Sequence, residues 1–218
     1  SEDKDKVDKS NDKTSLFGKI DYLLGRMPDW ITGGVGRNKA IVRTSLMYSF
    51  KATNGIIAGE ANRPSTGVSQ RATFMLLDEF GLYKDGDKTY GATSDTARCR
   101  LFLFTHYTIK AMSYRICFDE KYRHSMREIM THWSQHPEKK RGLYRYDPAT
   151  NQVEVLDKTH KYEPDFAFNM TGRPNGGPFP CLRSPWYDFE WVRRGDERDV
   201  QMNLDIDPRG ATEQFFDP

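Results

Sequence analysis

The stretch "ATFMLLDEFG", residues 72–81, is where the reading of the fold turns. Its apolar run stops abruptly at Asp78 and Glu79. A continuous apolar run is expected of a strand buried on both faces of a parallel sheet. Acids at its carboxyl end stand where open α/β sheets bind their ligands. Further along, "CRLFLFTH" (99–106) repeats the pattern and ends in Thr105 and His106. Between the two, "KDGDKTYGATSDTA" (84–97) is polar and has room for a short helix. Strand, helix and strand in that order predict a parallel α/β sheet.

Working outward, "AIVRTSLMYSF" (40–50) is rich in β-branched and aromatic residues and is read as one strand. In "ATNGIIAGEA" (52–61), Asn54-Gly55 is a hairpin signal, with Ile56 and Ile57 opening the return strand. Before these, "TSLFGKIDYLLGRM" (14–27) spaces Leu16, Ile20, Leu23 and Leu24 as a helix, with Thr14 or Ser15 as N-cap and Pro28 as stop. After the central strands, "KAMSYRICFDEKY" (110–122) predicts a helix and "MREIMTHW" (126–133) a strand. "GLYRYDPATNQVEVLDK" (142–158) predicts a hairpin turning at Asp147 to Gln152, and His160 to Cys181 a Pro/Gly-dense loop. Ser184-Pro185 starts a helix through Arg194 that Gly195 breaks, and Asp196 starts a shorter one through Asn203. The opening "SEDKDKVDKSNDK" (1–13) is expected to be solvated and poorly ordered.

Composition sets wide limits. A 37% hydrophobic share leaves a core but predicts long polar connections, and a net charge of +2 neither demands nor excludes nucleic acid. Three scattered cysteines, Cys99, Cys117 and Cys181, form no disulfide framework and suit a reducing cytoplasm. No apolar run reaches membrane-span length, so no membrane partner is expected. A first residue of Ser rather than Met suits a processed chain or a piece of a longer one.

Several constellations carry possible chemistry. An apolar strand ending in Asp-Glu has the form of the Walker B motif of P-loop ATPases. Asp78 would then hold Mg²⁺ and Glu79 would polarise the attacking water, the alternative being ordinary solvated acids. A polar Thr105 at the end of the next strand suits a sensor of the γ-phosphate. "ITGGVGRNKA" (31–40) imitates a phosphate loop, but aligning Lys39 with the P-loop lysine puts Asn38 in place of the second glycine and Ala40 in place of the hydroxyl residue. It is read as a surface loop. His132 and His136 stand four apart without a nearby carboxylate or cysteine and are read as packing or surface histidines rather than zinc ligands. "SPWYDFEW" (184–191) is read as core aromatic spacing before base stacking, and "EKKRGLYRYD" (138–147) leaves open a nucleic-acid-binding module.

Taken in order, "VDKSNDKTSLFGKIDYLLGRMPDWI", "ATNGIIAGEANRPSTGVSQRATFMLLDEFG", "ATSDTARCRLFLFTH", "HWSQHPEKKRGLY" and "SPWYDFEWVRRGDERDVQMNLDID" resemble the middle of the large terminase subunit of tailed bacteriophages. The resemblance runs from about Val7 to Phe216 and is most specific from Gly67 to Thr105. It implies a P-loop-NTPase-type (ASCE) parallel sheet with flanking helices, incomplete, plus a β-hairpin and C-terminal helices. It implies ATP and Mg²⁺ as cofactors, Asp78 and Glu79 as Walker B acids, Thr105 as the coupling-motif threonine, and Arg71 as a contact to phosphates or a neighbouring subunit. Double-stranded DNA, the small terminase subunit, the portal, and P-loop- and nuclease-bearing terminase segments are the implied partners, in the host cytoplasm. The expected organisation is a lead-in over 1–13, an ATPase core segment lacking the P-loop over 14–159, a connection over 160–183 and helices over 184–218 leading towards a nuclease domain. One departure is "FTHYT" (104–108), where the family's coupling motif usually carries Pro and Gly. The family's P-loop lies upstream of the matching segment and its nuclease carboxylates downstream. A non-catalytic assembly or scaffold role in the packaging complex is the alternative.

Overall fold

A computed structural model describes residues 4–9, 12–60, 71–169, 179 and 181–207. Among the described residues the fold is mixed α/β with three small sheets. The chain divides into two compact units, one ending at Leu103 and the other beginning at Phe104, so a boundary falls inside the stretch 14–159.

The first unit opens with a single helical turn, α1 (Lys4–Val7), then α2 (Leu16–Arg26) and the short α3 (Asp29–Thr32). Ser15 is the α2 cap: its hydroxyl accepts the Gly18 N–H at 3.0 Å. Met27, forced extended by the proline after it, ends the helix. Within the described part of the lead-in the lysines stay exposed as expected, but Val7 does not. Val7 is buried with Phe17, Ile41 and Tyr48 in one apolar cluster, and that burial outweighs the charges around it.

β1 (Ile41–Thr44), β2 (Met47–Phe50) and β3 (Gly55–Ala58) form an antiparallel sheet in that order. Residues 40–50 are therefore a hairpin, not one strand. Its tight turn at Ser45-Leu46, with Leu46 at φ 57°, is held from a distance, because the Asp8 carboxylate accepts the Leu46 N–H at 2.6 Å. Asn54, at φ 52°, makes the second turn as its sequence predicts.

β4 (Ala72–Leu77), α4 (Gly86–Thr96) and β5 (Ala97–Phe102) complete the unit, and β4 pairs with β5 in parallel. The strand–helix–strand order is as expected, but burial on both faces is not. Leu77 and Phe102 face inward, with Phe102 against Phe80 and Tyr90. On the opposite face Phe74, Leu76, Leu101 and Leu103 are 40–54% exposed. Two strands and one helix cover one side only.

In the second unit the segment 110–122 breaks at Asp119 into α5 (Met112–Phe118) and α6 (Glu120–Arg123). Residues 126–133 are not a strand; Ile129 is 74% exposed, and the chain enters a 3-10 turn over Trp133–Gln135. Ile129 stays in water, and what the run buries, His132 and Trp133, lies at its end, where the 3-10 turn begins. β6 (Tyr144–Asp147) and β7 (Gln152–Val155) form the expected hairpin, and β8 (Leu182–Arg183) adds to the other edge of β6. α7 (Pro185–Arg194) begins at the Ser184 cap and ends at Gly195, at φ 65°; α8 (Glu197–Asn203) starts at Asp196. Trp133, Leu182, Tyr187, Val200 and Leu204 form this unit's core, with Trp186 and Trp191 against it.

Candidate functional site

The acids at the end of β4 are positioned by their neighbours. Leu77 accepts the Leu103 N–H at 3.0 Å, and Phe80 donates its N–H to the Leu103 carbonyl at 3.0 Å. Leu77 and Phe80 are both buried, so the chain must reverse within the two residues between them. Glu79 absorbs that reversal in the left-handed region, at φ 55°, ψ 36°. A non-glycine residue there is strained, and such strain persists only when the surroundings over-determine it.

The Glu79 carboxylate meets Lys6 of α1 at 3.3 Å. Asp78 and Glu79 open onto a cleft of about 350 Å³ that also receives Lys6, Lys9 and Lys19. Two further acids border it. Asp5 lies 3.9 Å from Lys9, and Asp12 accepts from the Thr14 N–H and hydroxyl, which hold its carboxyl below the usual range.

The other predicted site residues lie elsewhere. Arg71 is exposed just before β4, and with a rise of about 3.3 Å per residue it stands about 23 Å along the chain from Asp78. Thr105 is exposed in the irregular segment that opens the second unit. Its neighbour His106 is buried among Phe104, Tyr114 and Phe118, and burial pushes its pKa down. The acids belong to one unit and Thr105 to the other. Lys6 escaped the sequence reading. Its signal was the single apolar Val7 in a charged run, the residue that docks the segment.

The glycine-rich loop is committed to itself. The N–H groups of Gly33, Gly36, Lys39, Ala40 and Ile41 all donate to nearby carbonyls, and that of Gly34 to the Thr32 hydroxyl. Lys39 pairs with Asp29 at 3.5 Å. A phosphate nest needs converging free amides, and here those six are used.

His132 is buried, contacts the Ser134 hydroxyl at 2.7 Å through Nδ1, and is pushed down to about 4 by burial. His136 is exposed. Among the described residues no group of three or more His, Cys, Asp or Glu side chains is placed to hold a metal. Cys99, Cys117 and Cys181 form no disulfide; burial and Glu128 push the Cys117 thiol up to about 12, and burial raises that of Cys181. In the basic stretch 138–147, Tyr144 and Tyr146 are buried and Lys139 lies over the Trp186 ring, which leaves no aromatic side chain there to stack on a base. Among the described residues no helix is long and apolar enough to cross a membrane.

Comparisons with family models, curated proteins and solved structures found no match to this chain.

Proposed function

We propose that this chain is the Walker B-bearing part of a terminase-type DNA-packaging ATPase, with an ASCE-type sheet to which β4 and β5 contribute. The observation that carries the reading is the acid pair Asp78–Glu79 at the carboxyl end of a parallel strand pair, with Glu79 held in a strained turn. Together with the resemblance of residues 67–105 to the terminase large subunit, this favours ATP hydrolysis over solvated acids.

The residues fit Mg²⁺-ATP in part. Magnesium binds through one or two carboxylates plus phosphate oxygens and water, so the absence of a three-ligand cluster is no obstacle. Asp78 is the residue to hold the hydrated ion, and Glu79 takes a proton from the attacking water. The bound metal supplies neutralisation of phosphate charge. The sequence holds no G-x-x-x-x-G-K-[ST] segment and the amides of Gly33, Gly34, Gly36, Lys39 and Ala40 are committed, so the triphosphate cradle comes from another segment. Thr105 is then the coupling residue, and Arg71, at the far end of β4, serves a neighbouring subunit rather than the phosphates at Asp78. Double-stranded DNA, the small terminase subunit and the portal are the partners of this reading, and the host cytoplasm its place.

The test is to recover the tagged chain with its assembly from cells that make it and to compare ATPase turnover with Glu79→Gln. Loss of roughly 10²–10⁴-fold in rate with assembly intact is expected of a general base. The pure chain alone should be inactive. Turnover by the pure chain, or an assembly indifferent to Glu79→Gln, refutes the proposal. The uncovered apolar face of β4 and β5 favours a second reading, a docking or scaffold role, and an intact assembly whose rate ignores Glu79→Gln is its signature.

A further inference from the structure

We infer that Lys6 is a phosphate ligand, paired with Glu79 until a metal-bound polyphosphate enters the cleft and draws it away. The inference rests on reading Asp78 and Glu79 as nucleotide-site acids and adds a residue outside the motifs.

The backbone that carries Lys6 is fixed. Val7 beside it is 2% exposed, and a Cβ on Gly59 would come within 2.6 Å of the Val7 side chain, so the two segments pack at close range. Asp8 then ties down the other side, 2.7 Å from Arg43 and 2.6 Å from the Leu46 N–H. The Lys6 side chain itself is free to swing, being 54% exposed. A helical turn with one buried residue and one double-anchored acid thus delivers a mobile ammonium to a strained glutamate.

The Lys6–Glu79 pair is open to solvent, the kind of ion pair that contributes little and exchanges readily. A phosphate oxygen with more than one negative charge nearby is a stronger acceptor for the same ammonium. Exchange frees the Glu79 carboxylate to meet water at the moment phosphate arrives. Charge layout narrows the ligand. The carboxylates of Asp5, Asp12, Asp78 and Glu79 repel a bare polyphosphate, and the ammoniums of Lys6, Lys9 and Lys19 oppose a bare divalent cation. A metal–polyphosphate complex answers both sets. A cleft of about 350 Å³ lies at the small end of ligand sites, which suits a phosphate chain with its ion.

The experiment is calorimetric titration of the full chain with magnesium pyrophosphate, and separately with metal-free pyrophosphate and with Mg²⁺. The complex should bind, and each component alone should bind at least about tenfold more weakly. Lys6→Gln should weaken binding of the complex roughly tenfold, Lys6→Arg should restore most of it, and Lys158→Gln, in the other unit, should change nothing. No binding, metal-free pyrophosphate binding as well as the complex, or Lys6→Gln matching the natural chain overturns the inference. Asp78→Asn separates it from the parent reading. If Asp78→Asn leaves binding intact while Lys6→Gln weakens it, the lysine assignment stands and the metal role of Asp78 falls. The reverse pattern removes Lys6 alone.

Discussion

Replacing Glu79 by Gly and by Ala gives a sign test of the strained turn. Both variants lose the carboxylate and the Lys6 contact, so those terms cancel in the comparison. What remains is the backbone at φ 55°, ψ 36°. An L-residue in the left-handed region costs roughly 1–2 kcal/mol, a cost that Ala bears and Gly does not. Against this, Gly loses more conformational freedom on folding, by roughly 0.5–1 kcal/mol. The difference leaves Glu79→Gly more stable than Glu79→Ala by about 0.5–1 kcal/mol. At an ordinary strand position the order is the opposite, and the exposed Thr73 of β4 supplies that control.

The assay is urea unfolding followed by far-ultraviolet circular dichroism. With a slope of roughly 2 kcal/mol per molar urea, the Gly variant should unfold at a midpoint about 0.3–0.5 M higher than the Ala variant. The Thr73→Gly and Thr73→Ala pair should show the reverse. Equal midpoints at position 79, or Ala ahead of Gly, would mean that residue 79 is not held left-handed. Strain would then not mark the site.

His132 should make the second unit acid-labile. Burial pushes its pKa down to about 4, so the folded state resists a proton that the unfolded chain takes up near pH 6.5. Stability is therefore full above about pH 6.5 and lost progressively towards pH 4, by on the order of 3 kcal/mol, a slope His106 shares in direction. Unfolding midpoints from tryptophan fluorescence at pH 7.5 and pH 5 should differ, and His132→Gln should reduce the difference; an unchanged slope contradicts the assignment. Arg43 bridges Asp8 and Asp21 and lies over the Phe17 and Tyr48 rings at 4.7 and 4.9 Å. Arg43→Met should cost about 2–3 kcal/mol and speed tryptic cleavage within residues 4–9; unaltered cleavage would show that Asp8 does not anchor the lead-in.

Local chemistry was legible in the sequence wherever one or two residues decide an outcome. Ser184-Pro185 and Gly195 bound α7, and Asn54 closes the turn that leads into β3 at Gly55 because that turn needs the left-handed backbone asparagine tolerates. The strand-ending acids were equally plain. Features held from a distance were hidden. The Ser45-Leu46 turn depends on a carboxylate 38 residues away, and no window around it contains Asp8. Residues 126–133 have strand-like composition, yet Ile129 finds no layer to bury it. Lys6 was lost for the same reason, since its position follows from the docking of Val7 rather than from any motif around Lys6.

The uncovered face of β4 and β5 bears on the proposed function. A strand with one face in water normally alternates apolar with polar residues. β4 instead sets Phe74 and Leu76 on the open side and Met75 and Leu77 on the other. That is the sequence of an interior strand, and a two-stranded parallel pair is a weak structure by itself. The motor reading asks for an addition at the same place on independent grounds, because a triphosphate cradle has to reach the carboxyl ends of these strands. One further layer of sheet or helix, carrying the phosphate loop, would cover Phe74 and Leu101 and bring its lysine to the carboxyl ends of these strands. Hydrophobic burial and catalysis would then share one contact, and ATP would be turned over only where that contact had formed.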